Sequence, residues 1–170
     1  MPGGLLKLRG RVRAVLGDNI DTDVIYPGRY LNITDREKTA EHLFELGYPE
    51  IRGQIQAGDF IVAGKNFGCG SSREQAAAAL QFGGVGAVLA ASFARIFFRN
   101  AINLGLPAVI AAEASAACRV GDELELDLCG GTIQNLTQNR LIRAAPLDPR
   151  AAELIAGGGL IPYLKRKYAA

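Results

Sequence analysis

The feature that most constrains this chain is a glycine-rich loop between a predicted strand and a predicted helix. Residues 64–79 read Gly-Lys-Asn-Phe-Gly-Cys-Gly-Ser-Ser-Arg-Glu-Gln-Ala-Ala-Ala-Ala. The short, mostly apolar run 59–63 before them is typical of a buried strand, and the alanines after the loop favour a helix. A glycine loop that opens a helix is suited to anions, because the first amide groups and the helix dipole point at it.

Two serines and an arginine give this loop its chemical character. Both Ser71-x-x-Glu74 and Ser72-x-x-Gln75 fit a capping box, so one serine is predicted to cap the helix and the other to face an approaching molecule. Arg73 adds a planar, two-pronged donor that suits a carboxylate or a phosphate. The sequence therefore predicts an anion site that contains a serine.

Spacing excludes three other kinds of glycine loop. A phosphate-binding P-loop has its lysine directly after the last glycine, whereas Lys65 stands at the opposite end. A dinucleotide fingerprint needs a third glycine where Arg73 stands, and neither serine has the flanking glycines of a hydrolase elbow. The chain has one histidine, His42, so a serine–histidine pair has a single candidate.

The composition fits one domain that does not bind nucleic acid. The chain has 170 residues and a net charge of +2, which is too small for a nucleic-acid surface. Its three cysteines, Cys69, Cys118 and Cys129, form no Cys-x-x-Cys pair and do not supply the ligand set of an iron–sulfur cluster. Their odd number, with no signal peptide after Met1, favours a reducing cytoplasm.

Hydrophobic periodicity predicts mixed strands and helices along the rest of the chain. Ser92 is expected to cap one helix, and Leu43 and Leu46 are expected to face inward from another. The uncharged run 75–94 has the length of a membrane span, but glycines interrupt it, and a buried helix, a turn and a strand are predicted instead. Strands are predicted at 5–15, 59–63, 85–91, 106–110, 123–128 and 132–136, and helices at 39–46, 76–82, 93–102, 149–156 and 160–168.

Three stretches together resemble the aconitase swivelling-domain family. Residues 66–76 resemble its active-site loop, residues 17–27 its N-terminal signature and residues 91–106 its third signature, in matching order and spacing. The resemblance covers nearly the whole chain, and the nearest branch is the separate small subunit of 3-isopropylmalate dehydratase. The fold that it implies is α/β, a single three-layer β/β/α swivelling domain over residues 1–170.

The resemblance also implies a reaction and the residues that carry it out. The reaction is the interconversion of 2-isopropylmalate and 3-isopropylmalate by dehydration and rehydration, in leucine biosynthesis. Ser71 matches the family's base, Ser72 and Arg73 match substrate-binding positions, and Asp23 matches an active-site aspartate; without the resemblance Asp23 would be a turn residue. The Lewis acid is then a [4Fe–4S] cluster in a large subunit, in a heterodimer or heterotetramer, and this chain carries no cofactor.

The loop Tyr30–Thr34 is expected to choose the substrate. Aconitases place an arginine at the position matched by Ile33 or Thr34, and homoaconitase-type subunits place one at Asn32. This chain has arginine at none of them, so a third substrate carboxylate would lack a charged partner, whereas Ile33 suits an alkyl group. The alternatives are a related dehydratase, acting on homoaconitate or 2,3-dimethylmalate, and an anion-binding module that performs no chemistry.

Overall fold

The fold is built on one sheet of seven strands in the order β4-β3-β2-β1-β5-β6-β7. It is seen in a computed structural model that describes residues 6–169. The strands are β1 Lys7–Val15, β2 Phe60–Ala63, β3 Ala87–Ala90, β4 Ala108–Ile110, β5 Glu123–Asp127, β6 Thr132–Asn135 and β7 Arg140–Arg143. The helices are α1 Thr22–Ile25, α2 Arg36–Glu41, α3 Pro49–Arg52, α4 Glu74–Phe82, α5 Arg95–Leu104, α6 Ala114–Ala117, α7 Pro149–Ala156 and α8 Leu160–Lys167, with a 3-10 helix at Gly28–Tyr30.

The first strand belongs to two halves of the sheet. Its beginning pairs antiparallel with β5, and its end pairs parallel with β2 after an irregularity between Val12 and Ala14. Its predicted alternation is confirmed, since Val12 and Ala14 are buried while the basic residues at its start are exposed. The sheet curls, so that the N–H of Ala145, after β7, donates to the C=O of Ile110 in β4 at 2.8 Å.

Burial differs between the two halves. Every residue of β2 and β3 is buried, as expected for parallel strands that are covered on both faces. β5 and β6 alternate between buried and half-buried residues. The helix α4 packs against α2 and α5, and α5 packs against α7 and α8. The predicted α/β class, with three layers in the order β/β/α, is confirmed.

Most predicted elements are present, and one helix was predicted in the wrong place. The range 39–46 is not helical throughout, because α2 ends at Glu41 and Phe44 adopts a left-handed backbone with φ 59°. The Phe44 N–H donates to the C=O of Ile25 at 2.8 Å, a contact that removes it from the helix. Leu43 is buried as predicted, but Leu46 is 57% exposed instead of facing inward.

The uncharged run 75–94 folds as predicted. It forms α4, a turn at Gly83–Gly84 and the buried strand β3. Within residues 6–169, no helix combines the length and the apolar character needed to cross a bilayer.

Candidate functional site

Three loops meet at the carboxyl edge of the parallel half of the sheet. They follow β1, β2 and β3, and the carboxyl ends of parallel strands lie at the same edge, where ligands commonly bind in α/β folds. A cavity of about 180 Å³ lies between them. Its lining is Thr22 from the first loop, residues 68 and 70–73 from the second, and residues 94–97 from the third.

The second loop, which carries the serines, is fixed by its backbone on two sides. On one side, the Gly68 N–H donates to the Ile20 C=O and the Thr22 N–H donates to the Cys69 C=O, both at 2.8 Å. On the other side, a parallel bridge joins Phe67 to the loop after β3 through hydrogen bonds of 3.0 and 2.9 Å. The three loops therefore form one hydrogen-bonded unit.

Two glycines let this unit close. Gly68 and Gly70 have φ values of +82° and +91°, which L side chains rarely adopt. A Cβ on Gly68 would lie 2.2 Å from Cγ of Phe97, and a Cβ on Gly70 would lie 2.3 Å from Oδ2 of Asp21. Both positions thus exclude a side chain by backbone conformation and by space.

Neither serine caps α4, so the predicted capping box is wrong. The N-cap position is Arg73, in an extended conformation with φ −134° and ψ 114°, and it makes no side-chain capping bond. The Thr22 hydroxyl donates to the Ser71 C=O at 3.1 Å, which holds the serine backbone against the first loop and outside the helix. Ser71 and Ser72 both precede the helix, and both are exposed.

The prediction that Ser92 caps the next helix is also wrong. Its hydroxyl accepts a hydrogen bond from the Asn66 N–H at 2.8 Å, and α5 begins only at Arg95 with Ala94 as an N-cap that has no side-chain bond. Two helix starts without side-chain caps, those of α4 and α5, therefore border the cavity. Uncapped first-turn amides remain available as donors for an anion.

Asp23, from the N-terminal signature 17–27, holds the side chain of Arg73. The Nη1 of Arg73 donates to Oδ1 of Asp23, and the same oxygen accepts the Gly28 N–H at 3.0 Å. The Asp23 N–H in turn donates to Oδ1 of Asp21 at 2.7 Å. The Asp23 side chain is 51% exposed, whereas that of Arg73 is 21% exposed. The structure thus brings together Asp23, Arg73 and the two serines.

The loop Tyr30–Thr34 follows Gly28, which is bonded to Asp23, but it lies outside the cavity. Within the described residues, Asn32, Ile33 and Thr34 do not contribute to its lining. Asn32 and Thr34 are exposed and Ile33 is half-buried. The loop approaches the site through Gly28, where an added Cβ would lie 2.5 Å from Nη1 of Arg73.

Sequence reasoning missed the contribution of α5 to the site. Arg95, Ile96 and Phe97 line the cavity, and none of them is among the site residues predicted above. Ile96 is 41% exposed. Their position in the sequence could have identified them. They follow the strand β3 just as the serines follow the neighbouring parallel strand β2.

A larger cavity lies elsewhere and contains none of the predicted site residues. Its volume is about 580 Å³, and its lining includes His42, Glu45, Arg52 and Phe82. We assign the site to the smaller cavity, because that cavity contains the serines, Arg73 and both uncapped helix starts.

The three cysteines lie on separate elements of the fold. Cys69 is in the serine loop, Cys118 follows α6 and Cys129 is in the turn between β5 and β6. Burial, aided by the charge of Asp122, raises the pKa of the Cys118 thiol to about 11. Across residues 6–169, no three His, Cys, Asp or Glu side chains form a group that could ligate a metal.

Comparison with known proteins gives matches over nearly the whole chain. The sequence model of the Aconitase C-terminal domain family matches residues 3–113. The 3-isopropylmalate dehydratase small subunit of Moorella thermoacetica is 54% identical over 151 residues, which cover 89% of this chain and 91% of that protein. The methanogen homoaconitase small subunit of Methanothermobacter thermautotrophicus is 49% identical over 159 residues, covering 93% and 91%. A crystal structure of 3-isopropylmalate dehydratase from Methanocaldococcus jannaschii matches with a TM-score of 0.87 and 43% identity, over 95% of each chain.

Proposed function

The chain belongs to the aconitase C-terminal domain family, and we propose that it is the small subunit of a hydro-lyase that interconverts 2-isopropylmalate and 3-isopropylmalate. One observation carries the proposal: the cavity at the carboxyl edge of the sheet gathers two exposed serines and an arginine that is held by Asp23. Such a cavity suits an anionic substrate from which a proton is removed beside a carboxylate.

In this proposal Ser71 is the base that removes the proton. A neutral serine is a poor base, so its alkoxide needs stabilisation by nearby donors. The uncapped helix α4 begins three residues beyond Ser71 and supplies amide groups and the positive end of the helix dipole. The bond from Thr22 to the Ser71 C=O fixes the backbone that carries the hydroxyl. Ser72, next to it, binds the substrate.

Arg73 binds a substrate carboxylate in this proposal, and Asp23 orients the guanidinium. A guanidinium has five N–H donors in a fixed fork. The contact with Asp23 uses Nη1, which leaves donors for a carboxylate while the arginine stays in place. A carboxylate held in this way sets the acidic C–H against Ser71.

The remaining half of the site belongs to a large subunit. The relatives are small subunits, and a small subunit works with a large one. We propose that this partner carries a [4Fe–4S] cluster, which supplies the Lewis acid for the departing hydroxyl. The residues of this chain do not fit the cluster, because its three thiols lie on separate elements. We also infer a cytoplasmic location, which is consistent with three cysteines that form no disulfide in the structure.

The substrate is the part of the proposal that has a close competitor. Asn32, Ile33 and Thr34 are the residues of this chain that we assign to substrate selection, and they include no cation for a third carboxylate. A dicarboxylate with a branched apolar substituent therefore fits best, with 2,3-dimethylmalate as a second candidate. The likeness to a methanogen homoaconitase small subunit keeps homoaconitate as the competing substrate.

The test is reconstitution with a candidate large subunit. The purified chain alone is expected to bind no iron or sulfide and to turn over no isopropylmalate, and the mixture is expected to be active. A mixture made with Ser71→Ala is the matched control for contaminating activity. A stoichiometric cluster in this chain alone, or an inactive mixture whose subunits have assembled around an intact cluster, would overturn the proposal.

A further inference from the structure

A group of side chains outside the cavity holds one end of the loop Tyr30–Thr34. The Tyr30 hydroxyl donates to Oε1 of Glu45 at 3.3 Å. The Tyr30 ring stacks on the ring of His42, with centroids 3.6 Å apart and an interplanar angle of 11°. The Tyr26 hydroxyl donates to the Tyr30 C=O at 2.7 Å, so the backbone of Tyr30 is fixed as well as its side chain.

Glu45 is the centre of this group. Its carboxylate oxygens lie 3.5 Å from Nη2 of Arg29, 3.3 Å from Nδ1 of His42 and 3.8 Å from Nη1 of Arg52. Partial burial opposes ionisation of Glu45, but the hydrogen bond from Tyr30 and the charges of His42 and Arg29 lower its pKa below the usual value. The carboxylate is therefore charged at neutral pH and remains an acceptor for Tyr30.

The other end of the loop is fixed by α2. Asp35 is the N-cap of this helix, and its Oδ1 accepts the Lys38 N–H at 3.0 Å. The Thr39 hydroxyl donates to the Asp35 C=O at 2.7 Å. Only residues 31–34 stand between the two anchors, and they include Asn32, Ile33 and Thr34.

We propose that Glu45 is a positioning residue for substrate selection, because it holds Tyr30 and thereby fixes the four residues that follow. The inference rests on the proposed function, since it takes those residues to contact the substrate. Glu45 itself lies outside the serine cavity and lines the larger one. It acts through Tyr30 and does not touch the reacting atoms.

Loss of Glu45 loosens this anchor without removing it. The Tyr30 hydroxyl then has no acceptor and Arg29 loses its carboxylate partner, while the Tyr26 bond to the Tyr30 C=O and the stack on His42 remain. A segment that is held less firmly has to be ordered when substrate binds, and that cost falls on binding more than on the chemical step. KM should therefore rise while kcat changes little.

The experiment compares three variants in the assembled enzyme. In Glu45→Ala the acceptor for the Tyr30 hydroxyl is lost, and in Glu45→Gln an acceptor is kept. Glu123→Ala is the matched control, because Glu123 also pairs with two arginines but lies on β5, in the other half of the sheet. KM and kcat are measured with isopropylmalate and homoaconitate, and hydrogen exchange is measured by mass spectrometry over residues 28–35 of the full chain.

Glu45→Ala is expected to raise KM for isopropylmalate about three- to tenfold, the range for ordering one or two side chains on binding. It should also lower the ratio of kcat/KM for isopropylmalate over homoaconitate. Hydrogen exchange over residues 28–35 should become faster. Glu45→Gln should stay within about twofold of the wild type in KM, because the hydrogen bond is retained. Glu123→Ala should change neither KM nor exchange in this segment.

Unchanged KM and unchanged exchange in Glu45→Ala would overturn the inference. An equal fall in kcat for both substrates at constant KM would overturn it too, since that pattern indicates general damage. If Glu45→Ala does not assemble, Tyr30→Phe serves instead, because it removes only the hydroxyl that donates to Glu45. It must then show a smaller rise in KM and a smaller increase in hydrogen exchange. If the wild type turns over neither substrate, the proposed function fails, and the exchange data alone decide whether Glu45 is the anchor.

Discussion

The serine loop and the loop Tyr30–Thr34 are held in different ways. The serine loop is bound on both sides by backbone hydrogen bonds, and two of its glycines have no room for a Cβ. The second loop is anchored mainly through side chains, those of Glu45 and His42 at one end and Asp35 at the other. The first is therefore fixed by the shape of its backbone, and the second by a few replaceable contacts.

This difference is consistent with a catalytic role for the serine loop and a substrate-selecting role for the loop Tyr30–Thr34. A base has to be placed to a fraction of an ångström, and backbone ladders provide such a placement. A selecting loop can change its side chains without disturbing the base, because its anchors are separate from those of the serines. The comparison predicts that changes in the serine loop affect rate, folding or the binding of a substrate carboxylate, whereas changes in the second loop affect the preference between substrates.

The largest effect is expected from Ser71→Ala. Removing a general base typically lowers kcat by about two to four orders of magnitude. Assembly with the large subunit should be unaffected, because the Thr22 bond uses the backbone of Ser71 and not its side chain. The measurements are kcat of the assembled enzyme and its mass by light scattering.

Ser72→Ala is the matched control, because both serines are exposed and precede α4. It should weaken substrate binding and leave most of kcat. Near-normal turnover by Ser71→Ala, together with a large loss in Ser72→Ala, would assign the base to the second serine.

A large loss of stability is expected from Gly68→Ala. Overpacking costs about 1–3 kcal/mol and a left-handed alanine about 1 kcal/mol more, so the free energy of unfolding should fall by about 2–4 kcal/mol. Gly121→Ala separates the two causes, because Gly121 has φ +95° but nothing within 4 Å of an added Cβ. Thermal unfolding of the full chain measures both. Equal losses in the two variants would mean that the contact with Phe97 does not constrain the loop.

Most of the fold could be predicted because it depends on local patterns. The alternation in β1 and the glycine after α4 each act within a few residues of the chain. The Asp148 cap of α7, whose Oδ1 accepts the Ala151 N–H at 2.9 Å, is equally local. The position of the serine loop after β2 follows from the same reasoning.

The errors arose where a contact from a distant part of the chain decides the local conformation. Ser71 was predicted as a possible cap because its neighbours fit a capping box, but Thr22 holds its backbone outside the helix. The prediction for 39–46 failed because the Ile25 C=O accepts the Phe44 N–H. The roles of Ser71, Asp23 and the other site residues stay predictions, because the fold shows their proximity and not their chemistry.

A smaller effect is expected from Arg73→Lys. An ammonium cannot make the paired contact of a guanidinium with a carboxylate, so KM should rise about tenfold, as for the loss of one charged hydrogen bond. The change should be smaller in kcat, because Ser71 is untouched. A steady-state comparison of the assembled enzymes measures both constants. A loss confined to kcat would indicate that Arg73 acts in the chemical step and does not bind the ground state.

The smallest change in total activity, but the sharpest change in preference, is expected from Asn32→Arg. Asn32 is exposed on the loop and outside the serine cavity, so an arginine can be placed there without displacing core residues. It would offer a partner to a third substrate carboxylate, which is costly to leave unpaired in a closed site. The ratio of kcat/KM for homoaconitate over isopropylmalate should rise about tenfold, the effect of one charged hydrogen bond.

Thr34→Arg is the matched comparison, because Thr34 is exposed on the same loop two residues further on. If the loop selects by position, one of the two arginines should shift the preference more than the other. Isopropylmalate, dimethylmalate, homoaconitate and citrate are the substrates to compare. If neither variant changes the ratio, the loop does not select the substrate. The serine loop would then still be the chemical loop, but the loop Tyr30–Thr34 would have no role in selection. If the wild type already prefers a tricarboxylate, the assignment of an alkyl group to Ile33 is wrong even though the loop selects.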